Sequence, residues 1–317
     1  MKFFLILLFP ALAFAQGYPS RPIRMLIPFA PGGASDFVGR IMQPRLSELL
    51  GQPIVVENRA GASGNIGVEA AARSAPDGYT LFLGNIGTIA VNPAVFPKLA
   101  VNPRTDLAAV TQVVDVPSVL VANGAFAAGS VKELAALAKA SPGKLNYGSP
   151  GSGSVNRLEM ELLRIAEGLD MVHVPYKGGA GPAVAGLMGG ETHVMFTTAA
   201  SAIGQVRGGK LKLLAVTSAR RMEQAPSAPT MVESGYPDFV TGSWQGVFVP
   251  AGTPREVVDK LFKVIQQTMS APEVGERLKN GGAEIVISQN PAAFMEFVAA
   301  ETKRWARVVR ESNATAD

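Results

Sequence analysis

Two short stretches carry the residue types that could do chemistry. One is Phe29-Ala30-Pro31-Gly32-Gly33-Ala34-Ser35-Asp36, the other Ser149-Pro150-Gly151-Ser152-Gly153-Ser154. Each joins a short run of strand character to a segment with helical spacing. Glycine lets the backbone turn tightly, and Ser and Asp suit a helix N-cap. A strand, a glycine turn and a helix start leave free N–H groups at the end of the helix dipole that favours negative charge. The chemistry on offer is anion binding. No Lys or Arg lies between Met25 and Gly39, so main-chain amides, hydroxyls and water would hold the anion. An ordinary βα connection of a parallel sheet looks the same, and the first stretch alone does not separate the two readings. Asn85 and Thr88, in the loop after the third expected strand, add an amide and a hydroxyl.

Catalytic patterns are absent from the sequence. His173 lies in an apolar run and His193 follows Glu191-Thr192, so neither has metal-ligand spacing. No G-x-S-x-G elbow occurs. Residues 204–211 approach a P-loop, but Leu211 stands where Ser or Thr would hold magnesium. Residues 151–156 miss the last glycine of a dinucleotide fingerprint. Asp36 and Glu57 could pair as acids, yet loop carboxylates this near in sequence are usually solvated or capping. With no cysteine, disulfides, thiol catalysis and thiolate sites are excluded. No enzyme, cofactor or metal is expected.

The elements that must position these loops follow from periodicity. Residues 23–29 read as a buried strand. The next segment repeats apolar residues at Phe37, Val38, Ile41, Met42, Leu46, Leu49 and Leu50, a helix with one buried stripe that Gly51 ends. Strands at 53–56 and 79–83 flank a glycine-rich loop and a small-residue helix at 66–73. Strands alternating with helices imply a parallel, doubly wound sheet, whose ligands sit beyond the carboxyl ends of the strands. A long extended stretch at 110–121 reads as a crossover into a second unit. There a helix at 131–140, strands at 145–147, 171–176, 194–196 and 211–217, and intervening helices repeat the architecture. An extended run at 240–249 returns the chain to the first unit. Trp244 in that run is a candidate for the cleft or for packing; Trp305 reads as core.

Lys2, an apolar run to Leu12 and Ala13-Phe14-Ala15 read as a cleaved signal peptide, 1–15. The run is too short to span a bilayer and no later segment looks like a membrane helix. Net charge is +4, or +3 without Lys2, from scattered residues. That disfavours nucleic acid and leaves a mild preference for anions.

Several ordered motifs carry a resemblance across the whole mature chain. They include Tyr18-Pro19-Ser20-Arg21-Pro22-Ile23, Pro28 to Gly33, Val55-Val56-Glu57-Asn58-Arg59, Ala75-Pro76-Asp77-Gly78-Tyr79-Thr80, Val172-His173-Val174-Pro175-Tyr176-Lys177-Gly178 and Pro250-Ala251-Gly252-Thr253-Pro254. With these the sequence resembles the Bug family, the periplasmic solute-binding receptors of tripartite tricarboxylate transporters. The resemblance implies an α/β, two-lobed periplasmic binding protein of type II-like form. Each lobe is a doubly wound sheet flanked by helices, with the ligand cleft between lobes. Lobe 1 is expected at 16–117 and 241–317, lobe 2 at 118–240. It implies a small carboxylate ligand (dicarboxylate, nicotinate-like or aromatic acid), a monomer that is not membrane-inserted, and delivery to membrane permease subunits. The implied site comprises Phe29, Ala30, Gly32, Gly33, Ala34, Ser35, Asp36, Asn85, Thr88, Ser149, Gly151, Ser152, Gly153, Ser154, Thr197, Thr198 and Ser201. Many members carry Asp-Asn where this chain has Thr197-Thr198. That departure disfavours amino-acid ligands, and Thr197→Asp is expected to weaken binding. A sensor signalling to a membrane kinase, or less favourably a secreted enzyme on the same fold, remain as alternatives.

Overall fold

The computed structural model describes residues 17–315, so the expected signal peptide lies outside the described residues. The chain begins as alternating strands and helices: β1 (Ile23–Ile27), α1 (Ala34–Leu50), β2 (Ile54–Asn58), α2 (Asn65–Ala72) and β3 (Thr80–Asn85). Short helices α3 (Asn92–Val95) and α4 (Pro103–Asp106) lead into the long strand β4 (Leu107–Asn123). The second half holds α5 (Val131–Ala140), β5 (Asn146–Ser149), α6 (Val155–Glu167), β6 (Val172–Pro175), α7 (Ala180–Gly189), β7 (Val194–Thr198), α8 (Ala199–Arg207) and β8 (Leu211–Val216). The chain then returns through β9 (Gly242–Pro250) to α9 (Arg255–Met269), α10 (Pro272–Asn280), β10 (Glu284–Ile285) and α11 (Pro291–Glu311).

The strands run β2-β1-β3-β9-β4-β7-β5-β6, with β8 and β10 also paired to β4. β1 is parallel to β2 and β3, as expected for βα units, and β9 enters antiparallel between β3 and β4. β4 serves both halves. From Leu107 to Pro117 it pairs with β9; from Ser118 onward it pairs with β7 and β8. The change falls at Pro117, whose missing N–H cannot continue a ladder. The crossover expected at 110–121 is thus a single strand of 17 residues.

Three apolar clusters fill the layers. α1, α9 and α10 pack Val38, Met42, Leu46, Leu261 and Leu278 on one face of the first half. α2 and α11 cover the other with Phe294, Val298 and Trp305, where Trp244 and Phe248 of β9 meet them. A third cluster, around Leu134, Tyr147, Met160 and Phe196, holds the second half. Trp305 is buried, as its spacing predicts.

One local expectation changes. Ser35 and Asp36 do not cap α1; its N-cap is Gly33, with no side-chain cap bond. Both side chains are drawn into longer-range contacts. Ser35 Oγ donates to Gln245 Oε1 at 2.6 Å, and Asp36 is held by Arg40 and Asn58.

Candidate functional site

Where the halves meet, a cavity lies beyond the ends of β1, β3, β5 and β7. Its wall from the first half is Phe29, Gly33, Ala34, Ser35, Ser63, Asn85, Ile86 and Gly87, with Ser243 and Gln245 of β9. The second half supplies Pro150, Gly153, Ser154, Val155, Asn156, Ala180 and Thr198. None of these residues is ionisable.

The field comes from the backbone. α1 starts at the cavity through Gly33, Ala34 and Ser35, and α6 through Ser154, Val155 and Asn156. α7 adds its first residue, Ala180, and α8 its N-cap, Thr198. Only α6 has its cap bond made, Ser154 Oγ accepting from Arg157 N. Four helix N-termini thus face one space, drawn from both halves, and each favours negative charge.

The polar side chains are constrained. Asn85 accepts from Thr88 N through Oδ1, and Thr88 Oγ1 accepts from Asn85 N. This leaves the Asn85 amide N–H groups for the cavity. Gln245 accepts from Ser35 and donates to Ser243 Oγ at 3.3 Å. Thr198 and Ser201 share a 2.7 Å bond between hydroxyls. Asp36 accepts from Gly32 N, Arg40 Nε and Asn58 Nδ2. Burial pushes its carboxyl up, but those hydrogen bonds and the Arg40 charge hold it below its ordinary value.

The halves touch on both flanks of the cavity. Ala30 N donates to Gly178 O at 2.9 Å, and Gly153 N to Ser63 Oγ at 3.4 Å. The enclosed space is about 40 Å³, against roughly 300–1,000 Å³ for ligand pockets in general. In this conformation the halves leave little free space between them.

Behind the cavity lies the crossing of the two connecting strands. Glu159, fully buried on α6, accepts from Asn156 Nδ2 at 2.9 Å and Thr241 Oγ1 at 2.6 Å. Asn156 Nδ2 also donates to Ser118 Oγ at 2.9 Å. Burial pushes Glu159 up to about 7 against those bonds, and pushes Asp115, beside the crossing, up to about 6.

Of the residues expected from sequence, Phe29, Gly33, Ala34, Ser35, Asn85, Gly153, Ser154 and Thr198 lie on the wall. The others do not. Ala30, Gly32 and Asp36 build and brace the first loop; Thr88 orients Asn85 and Ser201 bonds Thr198. Ser149 is bonded to His173 Nε2 at 2.7 Å. Gly151 packs near Ser63, and Ser152 O accepts from Arg157. Thr197 is fully buried and off this wall, with its hydroxyl lacking a hydrogen bond, so Thr197→Asp would place a charge in the interior. Trp244 also stands off the cavity, its Nε1 donating to Glu301 and its ring against Phe294 and Phe297. Ser63, Asn156, Ser243 and Gln245 were missed. Ser243 and Gln245 had a signal, polar residues two apart in an otherwise apolar strand, which places them on one face.

The chain is similar to known proteins over nearly all its length. The family model described as tripartite tricarboxylate transporter family receptor (TctC) matches residues 38–314. Protein BugT of Bordetella pertussis is 40% identical over 301 residues, covering 95% of this chain and 92% of that protein. MatC from Rhodopseudomonas palustris, solved with bound malate, superposes with a TM-score of 0.87 at 33% identity, covering 92% of this chain and all of that one (100%). Rpa4515 from R. palustris, solved with adipate, gives 0.91 at 32% identity, covering 95% and 100%.

Proposed function

The chain belongs to the tripartite tricarboxylate transporter receptor family, two-lobed periplasmic binding proteins, and from that premise we propose that it captures a small carboxylate by closure and delivers it to the membrane permease of such a transporter. The ligand is a dicarboxylate, a nicotinate-like acid or an aromatic acid, bound without turnover. The lobes are 16–117 with 241–317, and 118–240, hinged where β4 changes partners.

The observation that carries this reading is the set of four helix N-termini, from both halves, around a wall with no ionisable side chain. An anion between them is stabilised by both lobes at once, so its affinity is highest in the closed state, the differential affinity that closure requires. The absent wall charges also argue against an amino acid. Its buried ammonium would find no carboxylate partner, which is costly. That related proteins hold malate and adipate supports a carboxylate here.

The test is a thermal-shift screen of refolded protein against mono-, di- and aromatic carboxylates. A ligand at a hundred times its dissociation constant stabilises by about 2.7 kcal/mol. A clear shift with one carboxylate class is the expected result. No shift with any of them, from protein shown to be refolded, overturns the carboxylate reading.

A further inference from the structure

Asn156 is the cavity residue whose hydrogen-bonding capacity is most restricted by its surroundings. A primary amide has two N–H donors and one carbonyl acceptor. Both donors on Asn156 Nδ2 point inward, to Ser118 Oγ and Glu159 Oε2, each at 2.9 Å. Glu159 is fully buried and its Oε2 accepts from Asn156 Nδ2, so it fixes which end of the amide faces it. The one polar group the Asn156 side chain has left for the cavity it lines is Oδ1. A carbonyl oxygen repels carboxylate oxygens and needs a donor.

We infer that Asn156, oriented by Glu159, makes this cleft selective for a carboxylate that also carries a hydroxyl. The inference rests on the carboxylate reading and deepens it. The helix N-termini and the Asn85 amide N–H groups receive the carboxylate, and Asn156 Oδ1 accepts from the hydroxyl. Asn156 is the contact; Glu159 is a positioning residue, acting through it. Because Glu159 also accepts from Thr241, the residue before the second crossing strand, and Asn156 donates to Ser118 on the first, the amide is set by the proposed hinge in its closed form. The acceptor therefore stands in place only when both strands are in register around it.

The experiment is calorimetric titration with matched pairs: malate against succinate, 2-hydroxyglutarate against glutarate, 4-hydroxybenzoate against benzoate. One uncharged hydrogen bond corresponds to about fivefold in affinity, and at least one hydroxy acid is expected to exceed its plain partner by that factor. Asn156→Ala is expected to bring the pair within about twofold, since the acceptor is gone. Glu159→Met is expected to do the same by freeing the amide, whereas Glu159→Gln, whose carbonyl oxygen can still accept from Asn156, keeps the preference. A merely structural role for Glu159 would lower both affinities alike and leave their ratio unchanged. Equal binding within every pair by the wild-type protein, or a preference that survives Asn156→Ala, overturns the inference while carboxylate capture stands. Binding of neither member of any pair removes both.

Discussion

A Cβ built on Gly181 would lie 2.2 Å from the Pro31 carbonyl oxygen. That contact is backbone, so no rotamer change relieves it, and under the proposed closure it forms only when the halves meet. Gly181 is the second residue of α7 and has no need of a left-handed conformation, so alanine there suits the helix. Gly181→Ala is expected to leave the melting temperature of the unliganded protein within a degree or two while weakening the ligand found in the screen by tenfold or more, about 1.4 kcal/mol. Unchanged affinity by calorimetry would show that the lobes bind without meeting at this point. The glycines of both loops were visible in the sequence, but their function differs from that of turn formers alone. Gly153 likewise has no room for a side chain, its Cβ position falling against Asn92.

At the scale of elements, the crossing of β4 with the start of β9 concentrates two carboxyls that burial makes reluctant to ionise. The folded state holds their protons more tightly than the unfolded chain does. Glu159 moves from 4.5 to about 7, and Asp115 from 3.8 to about 6. Such groups contribute stability that is fully present below the lower value and lost as pH rises toward the upper one. Stability from this source therefore falls between about pH 4 and 7, by roughly 3 kcal/mol for Glu159 alone. Glu159→Gln, neutral at every pH, is expected to flatten that part of the profile, so that its stability relative to wild type is greater at pH 8 than at pH 5. Urea denaturation at the two pH values measures this. Parallel profiles for the two proteins would mean Glu159 is not protonated in the folded state near neutrality. No pattern of spacing announces this cluster, because Asp115, Glu159 and Thr241 come from three segments far apart in the chain.

For the whole molecule, the sheets of the two halves share β4, and under the proposed function the two extended segments where β4 changes partners and β9 begins would serve as the hinge. Turning a population from 1:99 to 99:1 in favour of closure takes about 5.5 kcal/mol of differential affinity. Under the proposed function, four helix ends and the cavity amides would supply that difference, since all would act on the ligand together only when the lobes meet. Small-angle scattering is expected to show a smaller radius of gyration once the screened ligand is added. An unchanged radius with saturating ligand would mean that the solute binds to one lobe without closure.

Much of this was present in the chain before it folded. The alternation of apolar strands with helical stripes specified two α/β layers, because side-chain burial obeys periods of 2 and 3.6 whatever the final packing. Glycine turns before α1 and α6 specified where free N–H groups would stand, because that is a local property of backbone and helix. The family resemblance followed from motifs such as Val55 to Arg59 and Ala75 to Thr80, which need no coordinates to be read. Only the tertiary structure decided which of these groups face the cavity. Thr197 and Thr198 are neighbours, yet strand alternation buries one in the core and puts the other on the wall. Ser35 and Asp36 look like caps, yet Gln245, 210 residues from Ser35, and Asn58 claim them. Gln245, Ser63 and Asn156 became part of the site through a sheet register and a contact between lobes. Such contacts depend on three-dimensional distance, to which spacing along one chain is blind.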